Sequence, residues 1–548
     1  MPSAIPLPRQ SPRTRSTYRG GAAWLACLLL VWLTGCASLP TDVVRPVSTA
    51  LADPAQTALG QLVGTQRSQA AAKNESGFKL LDSADLALGA RLALIDAAQK
   101  TLDIQYYAIH ADPTTDLLIT HLRAATARGV RVRILLDDFN TSGRNAQILQ
   151  LAFEPNVALR LFNPLPGSRG SAFLRILGSL DDVARIQRRM HNKIFVADNA
   201  WGITGGRNLG ETYFGQGKAT NFVDSDMLAA GPVVRALSTS FDAYWNSELA
   251  YPVQSLVSQD DLDRLKAPPP ASGASAAVGS PPATRSGAAR AQGAAEAGPA
   301  DPVAAPGFDL QRTELTWASA VVLADKPSKL AADASDTEDA QDTVVDGLLA
   351  LIGRARRDLL IVSPYFVPGE RMMAQFAALR AAGVRIRVLT NSLASNDAPL
   401  AHVGYARYRE ALLANGIELF EMRSEQGGGG SGGFGSSGNA SGSKASLHAK
   451  LVVIDGRLLV IGSMNLDLRS QLQNSEVALV LRNTVLAQAA TRTIEPTLQN
   501  GAYRVQLVDG QLVWSLAGQP DQTREPDSGA GLRFLLKLVG PLAPEEML

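Results

Sequence analysis

Two stretches of the chain carry the same spaced set of chemistry-bearing residues. In the first, His191-Asn192-Lys193 leads to Asp198 and then to Gly205-Gly206-Arg207-Asn208; in the second, His448-Ala449-Lys450 leads to Asp455 and then to Gly462-Ser463-Met464-Asn465. The offsets from His to Lys, Asp, Gly and Asn agree throughout. With only five histidines in 548 residues, a chance repeat of so long a pattern is implausible. His and Lys two apart on an alternating strand share a face, so each stretch offers an imidazole beside an ammonium. The aspartate stands at odd offset and belongs elsewhere. Asp455-Gly456 is a strong hairpin signal and Asp198-Asn199 its counterpart, which makes Asp198 and Asp455 turn and framework residues. The returning strand then brings Ser463 roughly opposite His448, with Asn465 just beyond, and carries Asn208 back towards His191.

One His, one Lys and one Asn can hold a phosphate but cannot carry out a double displacement. A nucleophilic imidazole needs a second group to protonate the leaving alcohol and then to deprotonate the acceptor. Two such sets facing each other supply both roles, with Lys193, Lys450, Asn208 and Asn465 placed to stabilise charge on the non-bridging oxygens. Carboxylates at metal-ligand spacing are missing from the sequence, and the expectation is chemistry without metal or cofactor. A neutral, oriented imidazole also wants an acceptor on its far nitrogen. Asp226 and Glu476, each preceding an apolar segment after its motif, are the candidates; Asp224 rivals Asp226, and either acid could be a plain surface residue.

The elements that would position these residues repeat as well. Leu94-Ile95 with Leu102-Asp103-Ile104-Gln105 matches Leu351-Ile352 with Leu359-Leu360-Ile361-Val362, and the run from Arg128 to Leu135 matches that from Ala382 to Leu389. Apolar residues spaced by three and four before Gly129 predict a helix that glycine ends, followed by a β-branched strand. Each half therefore reads helix, strand, helix, strand, and the expected class is an α/β layer sandwich, duplicated. The expected organisation is a signal peptide at 1–35, a tether at 36–79, a first domain at 80–262 and an Ala/Pro/Gly linker at 263–307. A second domain follows at 308–515, interrupted by a flexible Gly/Ser loop at 426–443, and then a C-terminal segment at 516–548.

Composition narrows the partners. Apolar residues make up 46% of the chain, enough for a core in each half, and the net charge is +1. Four arginines precede Ala22–Leu33, an apolar run of 12 residues where a spanning helix needs about 20. That run ends in Leu33-Thr34-Gly35-Cys36, which resembles the lipobox of bacterial lipoproteins and implies cleavage before Cys36 and acylation of that cysteine. Removing the four arginines from 52 basic residues leaves 48 against 51 acidic ones, a mature charge of −3. Nucleic acid is disfavoured as a partner. The expected location is a periplasmic membrane face, the outer membrane because Ala37 follows the cysteine; the alternative is an inner-membrane protein held by an uncleaved anchor.

The paired motif resembles the phospholipase D superfamily. With Ser363-Pro364-Tyr365-Phe366-Val367-Pro368, Asn391-Ser392-Leu393-Ala394-Ser395-Asn396-Asp397 and Gly404-Tyr405-Ala406-Arg407, it resembles more narrowly the C-type bacterial cardiolipin synthases, from about Leu80 to the C-terminus. The resemblance implies two tandem phospholipase D-like α/β/α sandwich domains with pseudo-twofold symmetry and an active site at their interface. It implies a phosphohistidine intermediate on His191, phospholipid substrates (phosphatidylglycerol, and phosphatidylethanolamine as a second) and transfer of a phosphatidyl group between lipids at a membrane. It also implies that the acids after the motifs, Asp226 and Glu476, orient the histidines. Gly206 departs from the superfamily's serine, whereas Ser463 keeps it and would support phosphate binding.

Three other readings stay open: a phospholipase D that hydrolyses lipid to phosphatidic acid, a superfamily nuclease, and an idle lipid-binding lipoprotein. Tyr106-Tyr107 and Tyr365-Phe366 end matching strands and suit core packing or the mouth of a site. His110 and His121 read as structural or surface residues, and His402 as structural or a lining residue of an acceptor pocket. The apolar Leu532–Val539 segment suits either a membrane surface or packing on the second domain.

Overall fold

The computed structural model describes residues 39–266, 306–331, 343–425 and 443–539, apart from single positions at 168, 171, 178, 180 and 181. The signal segment with Cys36, most of the Ala/Pro/Gly linker and nearly all of the Gly/Ser loop lie outside the described residues.

The first half runs α1 (Ala58–Gln69), β1 (Ser76–Leu81), α2 (Ala84–Ala97), β2 (Thr101–Tyr106), α3 (Pro113–Ala127), β3 (Arg131–Asp137), β4 (Val157–Phe162), β5 (Ile194–Ala197), β6 (Trp201–Gly205), β7 (Thr220–Val223), β8 (Asp226–Ala230), α4 (Pro232–Trp245) and β9 (Ala250–Pro252). Strands β2, β3 and β4 are parallel, as helical crossovers require, and β5, β6, β8 and β1 continue the sheet antiparallel. The second half repeats the plan with β10 (Thr316–Ala324), α5 (Val344–Ile352), β11 (Asp358–Val362), α6 (Gly369–Ala381), β12 (Arg385–Asn391), α7 (Pro399–Ala414), β13 (Glu418–Met422), β14 (Lys444–Leu447), β15 (Leu451–Ile454), β16 (Leu458–Gly462), β17 (Val477–Arg482), α8 (Thr484–Pro496), β18 (Ala502–Val508), β19 (Gln511–Ser515) and α9 (Ala530–Val539). Its strands β11, β12 and β13 are parallel, and β15, β16, β17 and β10 follow antiparallel. The duplicated α/β architecture expected from the repeat is thus the fold.

The halves are joined in three ways. Strands β1 and β10 pair antiparallel, with Gly77 opposite Trp317, so the two sheets become one of 17 strands. A shared apolar core lies between them, where Ile194, Val196 and Met227 of the first half meet Leu451, Val453 and Ile461 of the second, with Val234 of α4 and Ile494 of α8 closing it. Strands β7 and β14 pair parallel across the interface, Val223 opposite Leu447. Each half keeps its own outer core, under α2 and α3 in one and under α5 and α6 in the other. Full burial of each aliphatic side chain in these cores stabilises the fold by roughly 1.5–3 kcal/mol.

The stretch expected to act as a tether is largely structured. Leu59 and Val63 of α1 are buried in the first core, and the chain before it is fastened down, with Ala50 N–H donating to Asp242 and Ser48 N–H to Asn246. Only Leu59 and Val63 of α1 are fully buried, too sparse an apolar pattern for its docking to be read from spacing. At the other end, Glu525 bonds Arg409 and His402, and Asp527 accepts from Tyr503, so the C-terminal segment is tied to the second half. Beyond those ties α9 leaves Phe534 and Leu538 exposed.

Candidate active site

Each His-x-Lys stretch is seated on the half to which it does not belong. The backbone N–H of His191 donates to the carbonyl of Ser475 at 2.9 Å, and that of His448 to the carbonyl of Val223 at 2.8 Å. The acids cross in the same way. Nδ1 of His191 lies 3.0 Å from both carboxylate oxygens of Glu476, and Nδ1 of His448 lies 2.6 Å from Asp224 Oδ2. Among the described residues neither Nε2 has a hydrogen-bond partner, and both rings are almost fully buried.

These contacts set the protonation. Burial holds His191 down to about 4 against the attraction of Glu476, and lowers His448 likewise against Asp224. Both carboxyls are themselves buried, but each is held at about 2 by its histidine and the neighbouring lysines. At neutral pH the acids are therefore ionised and the rings neutral, with N–H on Nδ1 and the lone pair on Nε2. The shared electrostatics make this one site. Lys193 is lowered to about 7 and Lys450 to about 8 by burial; Lys193 also feels Lys450, and both lysines feel Asp224 and Glu476. Each Nζ donates to the carbonyl of its own histidine, at 2.8 Å for Lys193, which leaves two further N–H groups on each.

The asparagines complete the donor set. Asn208 donates to the Tyr213 hydroxyl at 3.0 Å, while its Oδ1 and that of Asn465 are buried without a partner among the described residues. Asp198 and Asp455 sit at the hairpin turns with left-handed backbone, and their carboxylates cap the starts of the central strands. Asp198 accepts from the N–H of Gln99, Lys100 and Thr101, and Asp455 from those of Arg356, Arg357 and Asp358. These bonds hold the hairpin that carries each His-x-Lys against the parallel strands.

Two sequence expectations need correcting. Asp226 does not orient a histidine: its carboxylate is taken by Arg91 at 2.9 Å and Arg207 at 3.4 Å. The register explains why. Gly205 pairs with Asp226 and Gly462 with Ala478, so the residue matching Glu476 is Asp224, two positions earlier. The sequence held a sign of this, since Asp224 and Glu476 each stand seven residues before a helix N-cap, Gly231 and Asn483. The second concerns Ser463, whose hydroxyl donates to Glu476 and so steadies the acid rather than facing a phosphate. At the matching position, Gly206 leaves room that Asp224 occupies; a Cβ there would collide with Asp224 Oδ1.

Aromatic side chains wall the cleft. Tyr107 meets His191 edge-on at 5.2 Å, and Tyr213 meets His448 at 5.3 Å while stacking on Phe222 at 4.6 Å. The strand-ending pairs divide between two roles. Tyr106 and Phe366 are buried in the cores, whereas Tyr107 flanks the histidine and Tyr365 donates to Asp397 at 2.9 Å. Tyr213 and Phe222 carried no motif signal. His402 is buried and bound to Arg409 and Glu525.

Comparison with known proteins gives a consistent result. The family described as "Cardiolipin synthase, PLD-like domain" matches the chain twice, at residues 92–245 and 348–497. Cardiolipin synthase C of Escherichia coli is 35% identical over 480 residues, covering 86% of this chain and 96% of that protein. An uncharacterized protein of Helicobacter pylori is 30% identical over 545 residues, covering 96% and 99%. Among solved structures, that of phosphatidylserine synthase from Haemophilus influenzae shares the fold, with a TM-score of 0.52 and 13% identity over 87% of this chain and 98% of that one.

Proposed function

The chain belongs to the cardiolipin synthase family of phospholipase D-like proteins, and on that premise we propose that it moves a phosphatidyl group from one phospholipid to a hydroxyl on the headgroup of another, making cardiolipin. The observation that carries the reading is the crossed pairing of His191 with Glu476 and His448 with Asp224, which leaves two oriented Nε2 atoms in a site lined by two lysines.

His191 Nε2 attacks the donor phosphorus, and the bond from phosphorus to the headgroup oxygen breaks. That oxygen leaves with the proton carried by His448 Nε2, whose charged form the bound phosphodiester favours. Glu476 balances the charge on the phosphorylated His191 ring. In the second half-reaction the acceptor hydroxyl gives its proton to His448, its oxygen bonds to phosphorus, and the P–N bond breaks to restore His191. Lys193, Lys450 and the asparagine amides stabilise the two non-bridging oxygens throughout. Water in place of the lipid alcohol would give phosphatidic acid through the same steps.

Phosphatidylglycerol is the first substrate to test and phosphatidylethanolamine the second. Purified protein in mixed micelles of these lipids should yield cardiolipin by mass spectrometry; phosphatidic acid alone would establish hydrolysis instead. His191→Asn and His448→Asn should each abolish turnover with the thermal midpoint little changed, because neither ring can take over its partner's role. A phosphatidyl adduct should be trapped on His191 in the His448→Asn protein, and an adduct on His448 in the reciprocal variant would reverse the assignment. The same reading puts the protein at a periplasmic membrane face, anchored through acylated Cys36. Cys36→Ser should release or misprocess it with detergent-assay activity intact, and a variant still membrane-bound with an unchanged N-terminus would refute the anchor.

A further inference from the structure

Away from the histidines, the first half carries an open pocket of about 440 Å³, in which three arginines stand among apolar residues such as Val132, Val157 and Leu159. It opens at the N-terminal ends of β3 and β4, lined by Arg131, Arg133, Arg160 and Trp245 and covered by Pro46 and Ser48 of the N-terminal segment. Strand β3 runs from Arg131 at this cavity to Asp137, whose carboxylate accepts from the N–H of Met190 next to His191. Seven residues of strand put the cavity roughly 20 Å from the histidines.

The charges there do not balance. Arg133 is paired with Asp103 at 2.6 Å and Asp242 at 2.8 Å, which accounts for both of those acids. Arg160 is only 4% exposed; its guanidinium donates to the carbonyls of Trp245 and Pro46, both at 2.6 Å, and lies over the Trp245 ring at 4.3 Å, and among the described residues no carboxylate pairs with it. Arg131 donates to the carbonyl of Thr49 at 2.8 Å, and its Nε is buried without a partner among the described residues. The Trp245 indole N–H is likewise buried and unpaired among the described residues. Arg45 adds a further positive charge beside Arg160; burial, Arg133 and Arg45 together lower Arg160 to about 10, with no acid offsetting them. A buried guanidinium without a counter-anion is costly, and unpaired N–H donors in the same wall add to the cost. An anion with several acceptor oxygens relieves both. Guanidinium forks suit the oxygens of a phosphate.

We propose that this cavity is a second, non-catalytic phosphate site, taking the phosphate of a phospholipid headgroup or of a soluble phosphate ester. Because Pro46 and Ser48 form part of its wall, an occupied site also fastens the N-terminal segment against β3 and β4. The inference rests on the arginine cluster alone and stands apart from the catalytic reading.

The test is calorimetric titration of the full-length protein with inorganic phosphate. The expected result is two binding events, one in the cleft and one in the cavity. Arg131→Gln, at a half-buried position, should weaken the second at least tenfold and leave the thermal midpoint and the detergent-assay activity unchanged. Arg160→Gln should act in the same direction if it folds, and Arg131→Gln carries the test if it does not. Lys193→Gln should weaken only the other event. Sedimentation with phosphatidylglycerol or phosphatidylcholine vesicles separates the sources. A threefold or greater loss of phosphatidylglycerol binding in Arg131→Gln identifies a lipid phosphate, and a loss confined to the phosphate titration identifies a soluble one. A single binding event, removed by Lys193→Gln and untouched by Arg131→Gln, would overturn the proposal.

Discussion

Asp224 lies in the first half and holds the histidine of the second, its Oδ2 2.6 Å from Nδ1 of His448. Neither half therefore contains a complete orienting pair, and the two must fold together before either imidazole is fixed. Asp224→Asn should keep the side-chain shape but present an amide to Nδ1, removing both the charge and the preference for one tautomer. The expected loss is about 10²- to 10⁴-fold in kcat with KM little altered, in line with orienting aspartates elsewhere. Activity within threefold of wild type would show that the crossed pair does not orient the ring.

Asp226 should behave differently although it is two residues away. Its carboxylate neutralises Arg91, which is buried and bonded to Tyr106, and Arg207, whose guanidinium also meets carbonyls of the first half. Asp226→Asn leaves two buried guanidinium groups short of an anion, at a cost of about 3–5 kcal/mol. The expected signature is a lower midpoint in chemical denaturation, with any folded fraction retaining much of its turnover per molecule. A stable variant with kcat lost would return Asp226 to the chemistry.

The contrast between these acids marks where sequence reasoning stops. The His-x-Lys spacing, the turn aspartates and the duplicated α/β plan follow from local periodicity and from one segment matching another, so they were legible. Which acid meets which ring depends on strand register, where a slip of two keeps the same face and is easily missed. That the acids cross between halves depends on how two sheets pack, which no spacing within one half records. Tyr213 and Phe222 reach His448 from a short 3-10 turn and a short strand without a motif, and 46–51 docks through backbone groups that leave no compositional trace. Gly206 was legible as a departure from a serine; its reason, room for Asp224, was not.

The lysines predict an unusual pH profile. Burial lowers Lys193 to about 7 and Lys450 to about 8 in the empty site, and only the ammonium form can hold a phosphate. As pH rises the free enzyme first loses the charged form of His448, which titrates below the usual histidine range, and then the two ammonium groups, so kcat/KM should begin to fall below neutral pH and fall more steeply between about pH 7 and 8. The acid limb should lie well below the usual histidine range, because His191 is held at about 4 and must be neutral to attack. In kcat the alkaline limb should move upward, since a bound phosphodiester favours the charged lysines. A kcat/KM profile flat to pH 9 would contradict this assignment.

The two halves use matching positions for different purposes, and exchanging them should fail in both directions. Ser463 donates to Glu476, which also accepts from Ser470 at 3.1 Å and from His191; Gly206 has no side chain to donate and leaves space for Asp224. Ser463→Ala removes a hydrogen bond to a buried carboxylate, worth about 1.5–3 kcal/mol, while Ser470 and the ring remain. Activity should fall roughly tenfold to a hundredfold as the ring loses part of its orientation. Gly206→Ala adds one methyl group where the Asp224 carboxylate lies, so that carboxylate must turn away from His448. Its kcat should drop as far as in Asp224→Asn, and Gly206→Ser should not rescue it, because the serine Cβ meets the same oxygen. Rescue by serine would mean that the first half tolerates the second half's arrangement and that the asymmetry has no bearing on His448.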